Sequence, residues 1–442
     1  MALTTERTGT SAKRSEERRV LAGTMVGTTI EWYDFFIYAQ AAGLVLASLF
    51  FAPLAGENDT LAQLIAWASL GISFLFRPLG AIVAGHLGDR LGRKAMLVFT
   101  LIMMGAATAL IGLLPTFDQI GVWAPILLIV LRIVQGFSAG GEWGGAALMS
   151  VEHAPVNKRG FFGAYPQIGV PVGLILATGV MLVVTTSMSE EAFLSWGWRV
   201  PFLVSVLLIV VGWVIRRAVA ESPVFKEMQT RKKESAAPLK QLFTNHSRQV
   251  VLTALIFIAN NAAGYLLIAF FASYATKVLG MERSSVLMAS TVAAVFWLAS
   301  TMAGGILSDK IGRVRTFQIG YAFLFLWAIP MFLLIDTGEI LWYTVSLIVL
   351  ASGLGFSYGP QAALYAEMFP AQVRYSGVSI GYAIGAILGG AFAPLIAQIL
   401  LDETGSTTSI GVYVMVLAAI SFIAVTLVKE TRGIPLGVST HD

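Results

Sequence analysis

Residues Gly85 to Lys94 read Gly-His-Leu-Gly-Asp-Arg-Leu-Gly-Arg-Lys, and residues Gly305 to Arg313 read Gly-Ile-Leu-Ser-Asp-Lys-Ile-Gly-Arg. The second stretch is a degenerate copy of the first, 220 residues later. A second set keeps nearly the same offset: Glu152, Pro155 and Arg159 recur as Glu367, Pro370 and Arg374, 215 residues on. Each of these polar stretches separates two long apolar runs. The chain therefore reads as two related halves, each built from apolar segments joined by matching charged turns.

Working outward from these turns, twelve apolar runs can be marked, at 20–49, 61–87, 95–114, 123–151, 160–186, 199–218, 249–279, 284–308, 315–335, 340–366, 375–401 and 408–428. About 20 apolar residues cross a bilayer as a helix. Hydrophobic residues make up 57% of the 442 and charged residues 12%, too few to cover a water-facing surface; soluble domains carry about 25%. The expected fold is an all-α polytopic membrane protein with twelve transmembrane helices in two pseudo-symmetric six-helix bundles. The expected boundaries are a cytoplasmic tail at 1–19, bundles at 20–218 and 249–428, a cytoplasmic linker at 219–248, and a second cytoplasmic tail at 429–442.

Lys and Arg placement sets the expected orientation. With both termini inside, the inner segments hold 24 of the 29 basic residues. Arg77 and Arg132 lie within runs, and only Arg199, Lys277 and Arg283 fall at the outer side. This predicts a multi-pass protein of a bacterial cytoplasmic membrane, in contact with lipid and not with nucleic acid. The chain has no cysteine, and its four histidines, His86, His153, His246 and His441, are scattered. Neither a metal site nor a cofactor is expected.

Glu31-Trp-Tyr-Asp-Phe-Phe-Ile-Tyr38, Phe76-Arg-Pro-Leu-Gly80, the run from Arg132 through Gly-Gly-Glu142-Trp-Gly-Gly145, Trp196-Gly-Trp-Arg-Val-Pro-Phe202 and Glu367-Met-Phe-Pro-Ala-Gln-Val-Arg-Tyr-Ser-Gly377 occur in order along the chain. Together with the turn at Gly85 they resemble the major facilitator superfamily, and within it the metabolite:proton symporters. That group includes permeases for shikimate, α-ketoglutarate, citrate and proline/betaine, and the Gly-Gly-Glu-Trp-Gly-Gly form is most similar to the shikimate-permease branch. The resemblance implies alternating access, a monomer, and two partners in transit: a small metabolite and protons. A duplicated block of helices with a site between the copies is also what the repeat predicts.

Ionisable groups inside a membrane are costly, so each is a functional candidate. The first half has five: Glu31, Asp34, Arg77, Arg132 and Glu142. The interiors of the second-half runs have none, so neutral polar and aromatic contacts are expected there, from Asn260, Asn261, Tyr265, Tyr358, Gln361 and Tyr382. Glu31, Asp34 and Tyr38 share a helix face, as do Arg132, Gln135 and Glu142. At about 1.5 Å per residue, Asp34 and Arg77 fall at a common depth of roughly 22–24 Å, with Arg132 at about 14 Å. Depth thus pairs Asp34 with Arg77, whereas similarity to proton-coupled sugar porters pairs it with Arg132; both remain open at this stage. Three carboxylates against two guanidinium groups leave one negative charge over, so Asp34, Glu31 or Glu142 is expected to carry the proton, Asp34 first. Arg77 and Arg132 are the candidates for a substrate carboxylate, through bidentate bonding. Gln135 and Tyr38 join them on geometry.

The resemblance implies a cytoplasmic gate at Gly85, Asp89, Arg90, Gly92 and Arg93 and at Asp309, Gly312 and Arg313. Glu152, Arg159, Glu367 and Arg374 are read in the same way. Positive-inside topology alone also accounts for part of this charge. A membrane enzyme would need a nucleophile–base pair, a metal cluster or a phosphate loop, and the sequence carries none. The expected function is proton-coupled import of a small organic acid. Symport of a zwitterionic osmolyte is the runner-up; an exchanger or a non-transporting sensor of the same fold follows.

Overall fold

The computed structural model describes residues 2–56, 58–91, 93–217, 227 and 238–437, with only the backbone described for 2–15, 85–86, 88–91, 93, 216 and 238. Most of the expected linker at 219–248 lies outside the described residues, as does the end of the C-terminal tail. Among the described residues there is no β-strand. In hydrocarbon the backbone must satisfy its own hydrogen bonds, which these apolar runs do as helices.

The spanning helices are α1 (Glu16–Leu54), α2 (Asp59–Ala84), α3 (Lys94–Leu113), α4 (Trp123–Glu152), α5 (Val156–Ser187), α6 (Gly197–Ile215), α7 (Ser247–Lys277), α8 (Arg283–Ile311), α10 (Ile340–Met368), α11 (Arg374–Thr404) and α12 (Thr408–Thr426). The ninth run forms α9 in two pieces, Arg313–Trp327 and Pro330–Ile335. Pro330 has no N–H to give and its ring blocks the preceding turn, so the helix breaks there. Neither piece crosses a bilayer alone; together they complete the twelve. Large side chains such as Leu207 and Leu326 are exposed, as a lipid-facing surface requires.

Several helices are interrupted near mid-span. α2 breaks at Phe76, immediately before Arg77-Pro78, and resumes as Arg77–Leu91. α7 carries a π-helical turn at Leu266–Phe270 and α11 another at Ile387–Ala391. α10 breaks at Gly359-Pro360.

Glycine sets the approach of α2 to α4. A Cβ on Gly136 would stand 1.8 Å from the Ser73 carbonyl oxygen, and one on Gly140 would stand 2.0 Å from that of Arg77. The two backbones are therefore in contact, as the glycine-rich run around Glu142 predicts. Across the seam between the halves, α5 lies on α8, where a Cβ on Gly160 would meet the Gly305 oxygen at 2.4 Å. α4 lies on α11 in the same manner at Gly144 and Ser379.

Candidate functional site

The break in α2 places Arg77 inside the first bundle, 1% exposed. Its guanidinium carbon lies 4.4 Å from the Phe35 ring centroid, 4.3 Å from Phe74 and 5.8 Å from Trp32. These rings form an aromatic box, and a cation over aromatic faces is held by the ring quadrupoles. Nε and Nη2 of Arg77 have no hydrogen-bond partner in the protein. Tyr265, from the second half, stands beside the same guanidinium. Glu31 is fully buried and lies within electrostatic reach of Tyr265, Tyr358 and Tyr382.

Arg132 sits one to two turns from Arg77 toward the Asp59 end of α2. Its Nη2 donates to Ser73 Oγ at 2.8 Å and to the Leu70 oxygen at 3.2 Å. Its guanidinium carbon lies 3.8 Å from the Tyr38 ring centroid. The Tyr38 hydroxyl is itself 2.6 Å from Ser69 Oγ.

The expected pairing of Asp34 with either arginine is not what the structure contains. Among the described residues no Lys or Arg nitrogen lies within 4.0 Å of its carboxylate. Asp34 instead accepts from Ser205 of α6 at 2.5 Å, and Thr108 of α3 stands beside it. The reason is helical phase. Successive residues point about 100° apart, so Phe35 faces Arg77 while Asp34 turns toward α3 and α6. Arg132 is linked to Asp34 only through neutral groups: Arg132 Nη1 donates to Gln135 Oε1 at 2.7 Å, and Gln135 Nε2 donates to Thr108 Oγ1 at 2.6 Å. Glu142 accepts from Thr100 of α3 at 2.9 Å, away from both arginines.

On the second-half side, neutral polar and aromatic groups face the seam. A narrow cleft at the seam, with a cavity volume of only about 10 Å³, is lined by Trp32, Asn260, Asn261, Tyr265, Trp297 and Tyr358, among others. The asparagine amides chiefly pin helices: Asn260 Nδ2 donates to the Leu354 oxygen and to Ser357 Oγ, and Asn261 Nδ2 to the Ala386 oxygen. The break in α10 leaves the Tyr358 oxygen to accept from Gln167 Nε2 at 3.1 Å, and Gln361 Oε1 accepts from the same nitrogen at 3.4 Å. Gln361 Nε2 has no partner in the protein. Tyr382 stacks on Trp143.

At the face carrying the tail, charged residues bridge the halves. Arg374 Nη1 lies 3.3 Å from Glu152, and Arg159 Nη1 lies 3.5 Å from Glu367. Arg313 binds Glu367 at 3.3 Å and Asp309 at 2.7 Å. The Asp309 carboxylate also accepts from the Gly160 and Phe161 amides, both at 2.8 Å, at the positive N-terminus of α5. Gly312 has φ 106°, and a Cβ there would stand 2.4 Å from Glu430 Oε2. Gly92 and the side chains of Asp89, Arg90 and Arg93 lie outside the described residues, and Gly85 is described by its backbone alone.

Sequence reasoning did not nominate several of these partners. Gln167, Trp143, Thr108 and Ser205 are neutral, and an intramembrane-charge criterion passes over them; Gln167, a lone amide among apolar residues, was the most visible. The tail was also missed. Glu430 accepts from the Arg313 and Val314 amides at 2.9 and 3.1 Å, Thr431 donates to Glu367 at 2.8 Å, and the Leu436 oxygen accepts from Arg374 at 3.2 Å. Arg159 donates to the Ile434 oxygen.

Two related helical halves with a polar seam, closed at one face by cross-bundle ion pairs, define a membrane transporter rather than an enzyme. The chain belongs to the Major Facilitator Superfamily, whose model matches residues 24–394. It is 38% identical to the inner membrane metabolite transport protein YhjE of Escherichia coli K12 over 95% of each chain. It is 37% identical to the shikimate transporter of the same organism, over 95% of this chain and 96% of that protein. With the Escherichia coli K12 proline/betaine transporter it shares 32% identity, over 96% of this chain and 85% of that one. In fold it is similar to the proton:xylose symporter XylE bound to 6-bromo-6-deoxy-D-glucose, with a TM-score of 0.79 at 16% identity, covering 96% of this chain and 98% of that one. The protein is thus a multi-pass transporter of metabolites.

Proposed function

We propose that this transporter imports a small organic acid together with protons by alternating access, with the tail-bearing face cytoplasmic. The observation that carries the reading is Arg77: a buried guanidinium at the seam, with two nitrogens unbonded in the protein and aromatic rings and Tyr265 beside it. Such a group can bind a carboxylate through its planar fork.

Asp34 supplies the proton site in this reading. The Ser205 hydroxyl donates to its Oδ1 while Oδ2 has no hydrogen-bond partner in the protein, and among the described residues no guanidinium locks it in the charged form. The Thr108–Gln135 link passes its protonation state to Arg132. The cross-bundle ion pairs act as the cytoplasmic gate, and the halves at 20–218 and 249–428 are the rocking bodies.

The shikimate and proline/betaine transporters among its relatives support an acid and a zwitterion respectively. The box of Trp32, Phe35 and Phe74 favours the acid. Aromatic faces would recognise a quaternary ammonium, but here they already hold Arg77.

Sealed proteoliposomes with a lumenal pH dye test the reading. Entry of a carboxylate solute should acidify the lumen in step. Entry of one proton together with one monoanion moves no net charge, so a valinomycin potential, worth about 2.3 kcal/mol per charge per 100 mV, should leave uptake unchanged. Solute entry with no lumenal acidification overturns the proposal.

A further inference from the structure

Trp143 of α4 and Tyr382 of α11 face each other across the seam with ring centroids 3.8 Å apart and planes 9° from parallel. Parallel overlap this close is unusual, because aromatic pairs favour offset or edge-on contact. Three constraints hold the pair. Trp143 Nε1 donates to Gln167 Oε1 at 2.8 Å, fixing the indole plane. Phe257 stacks on Tyr382 at 4.4 Å, backing the phenol ring. Gly144, whose Cβ would stand 2.0 Å from Ser379 Oγ, lets α4 and α11 approach until the rings touch.

The stack belongs to opposite halves, so any rocking that opens the seam pulls the two faces apart. It also lies beside the proposed carboxylate site: Tyr382 is within electrostatic reach of Arg77, Glu31 and Tyr358. Gln361 Nε2 and the Tyr358 hydroxyl, buried and without a hydrogen bond of good geometry, are in the same region. Opening therefore exposes two parallel aromatic faces next to a guanidinium, with neutral polar groups at the rim.

We infer that the Trp143–Tyr382 stack is a substrate slot, closed on itself, which admits a planar ring bearing a carboxylate: the ring between the two faces, the carboxylate on Arg77. This inference rests on the carboxylate reading above and narrows it to flat, unsaturated ring acids. Aliphatic chains and puckered rings lose face-to-face contact on both sides.

The experiment measures binding to the full-length purified protein by calorimetry, comparing benzoate with cyclohexanecarboxylate, which has the same charge and a puckered ring. The slot predicts that benzoate binds at least about tenfold more tightly, or about 1.4 kcal/mol. Tyr382→Phe, which keeps the ring, should retain that ratio, and Tyr382→Leu should bring it near unity. Folding of each variant is checked by its thermal melt, and Tyr382→Phe serves if Tyr382→Leu does not fold: a ratio retained there with the preference present in the parent supports the slot. Equal binding of both acids by the parent protein overturns the slot and leaves the carboxylate reading standing. Failure of both acids to bind overturns the slot, and the carboxylate reading is then decided by the lumenal acidification experiment with other organic acids.

Discussion

Arg132 and Asp34 are joined without touching. The guanidinium donates to Gln135 at 2.7 Å, Gln135 donates to Thr108 at 2.6 Å, and Thr108 stands with Ser205 against the Asp34 carboxylate. A direct ion pair would hold the acid in one charge state. A relay of neutral groups lets the acid change state while the arginine stays charged.

Removing the acid and removing the relay should therefore differ. Asp34→Asn is expected to abolish proton-driven accumulation while substrate counterflow, which needs no net proton movement, persists in proteoliposomes. Gln135→Leu should slow both about tenfold or more, because it strips a hydrogen bond from a buried charge, worth about 1.5–3 kcal/mol. Full accumulation by Asp34→Asn would remove Asp34 from the proposed coupling.

Arg77→Lys keeps the charge but loses the planar fork and the stacking on Phe35 and Phe74. Its KM for the proposed acid substrate should rise about tenfold to a hundredfold, matching one charge-assisted hydrogen bond of about 1.5–3 kcal/mol. A KM unchanged in steady-state uptake would assign Arg77 a purely architectural place.

The absence of cysteine makes the proposed gate directly readable. Ala362 is fully buried near Gly163 at the seam, so Ala362→Cys should react slowly with a hydrophilic maleimide. Adding Arg374→Ala breaks the pair with Glu152 and releases the Leu436 oxygen. Labelling should then accelerate at least about tenfold, equivalent to 1.4 kcal/mol of population shift. Truncation after Lys429, which removes Glu430, Thr431 and Leu436, should accelerate it as well; labelling that ignores both changes would show that these contacts do not hold the seam.

Gly140→Ala tests the backbone contact between α2 and α4. Its methyl would stand 2.0 Å from the Arg77 oxygen and 2.6 Å from the Ala81 nitrogen, both backbone atoms that cannot rotate away. Overpacking of this kind costs about 1–3 kcal/mol. A clear fall in thermal midpoint in detergent is expected, with lost transport, because Arg77 is carried on the displaced helix.

Much of the architecture was legible. Run lengths gave the spans, including the ninth, which Pro330 splits. The repeat of Asp309 to Arg313 against the turn at Gly85, and of Glu367 and Arg374 against Glu152 and Arg159, marked the charged residues that bridge the halves. The five intramembrane charges pointed to the first bundle, where Arg77 and Arg132 are buried. The tail contacts of Glu430 and Leu436 left no such trace, because a backbone carbonyl accepts from an arginine whatever side chain it carries.

Hydropathy, charge bias and internal repetition determined the membrane fold and its duplicated plan, because each is a one-dimensional property: the length of an apolar run is fixed by the bilayer it must cross. The partners of Asp34, the box around Arg77 and the stack of Trp143 on Tyr382 were decided only in three dimensions. Neighbours on a helix diverge by about 100°, so which group a side chain meets depends on how its helix is rotated and which other helices lie beside it, and that is set by the packing of all twelve together.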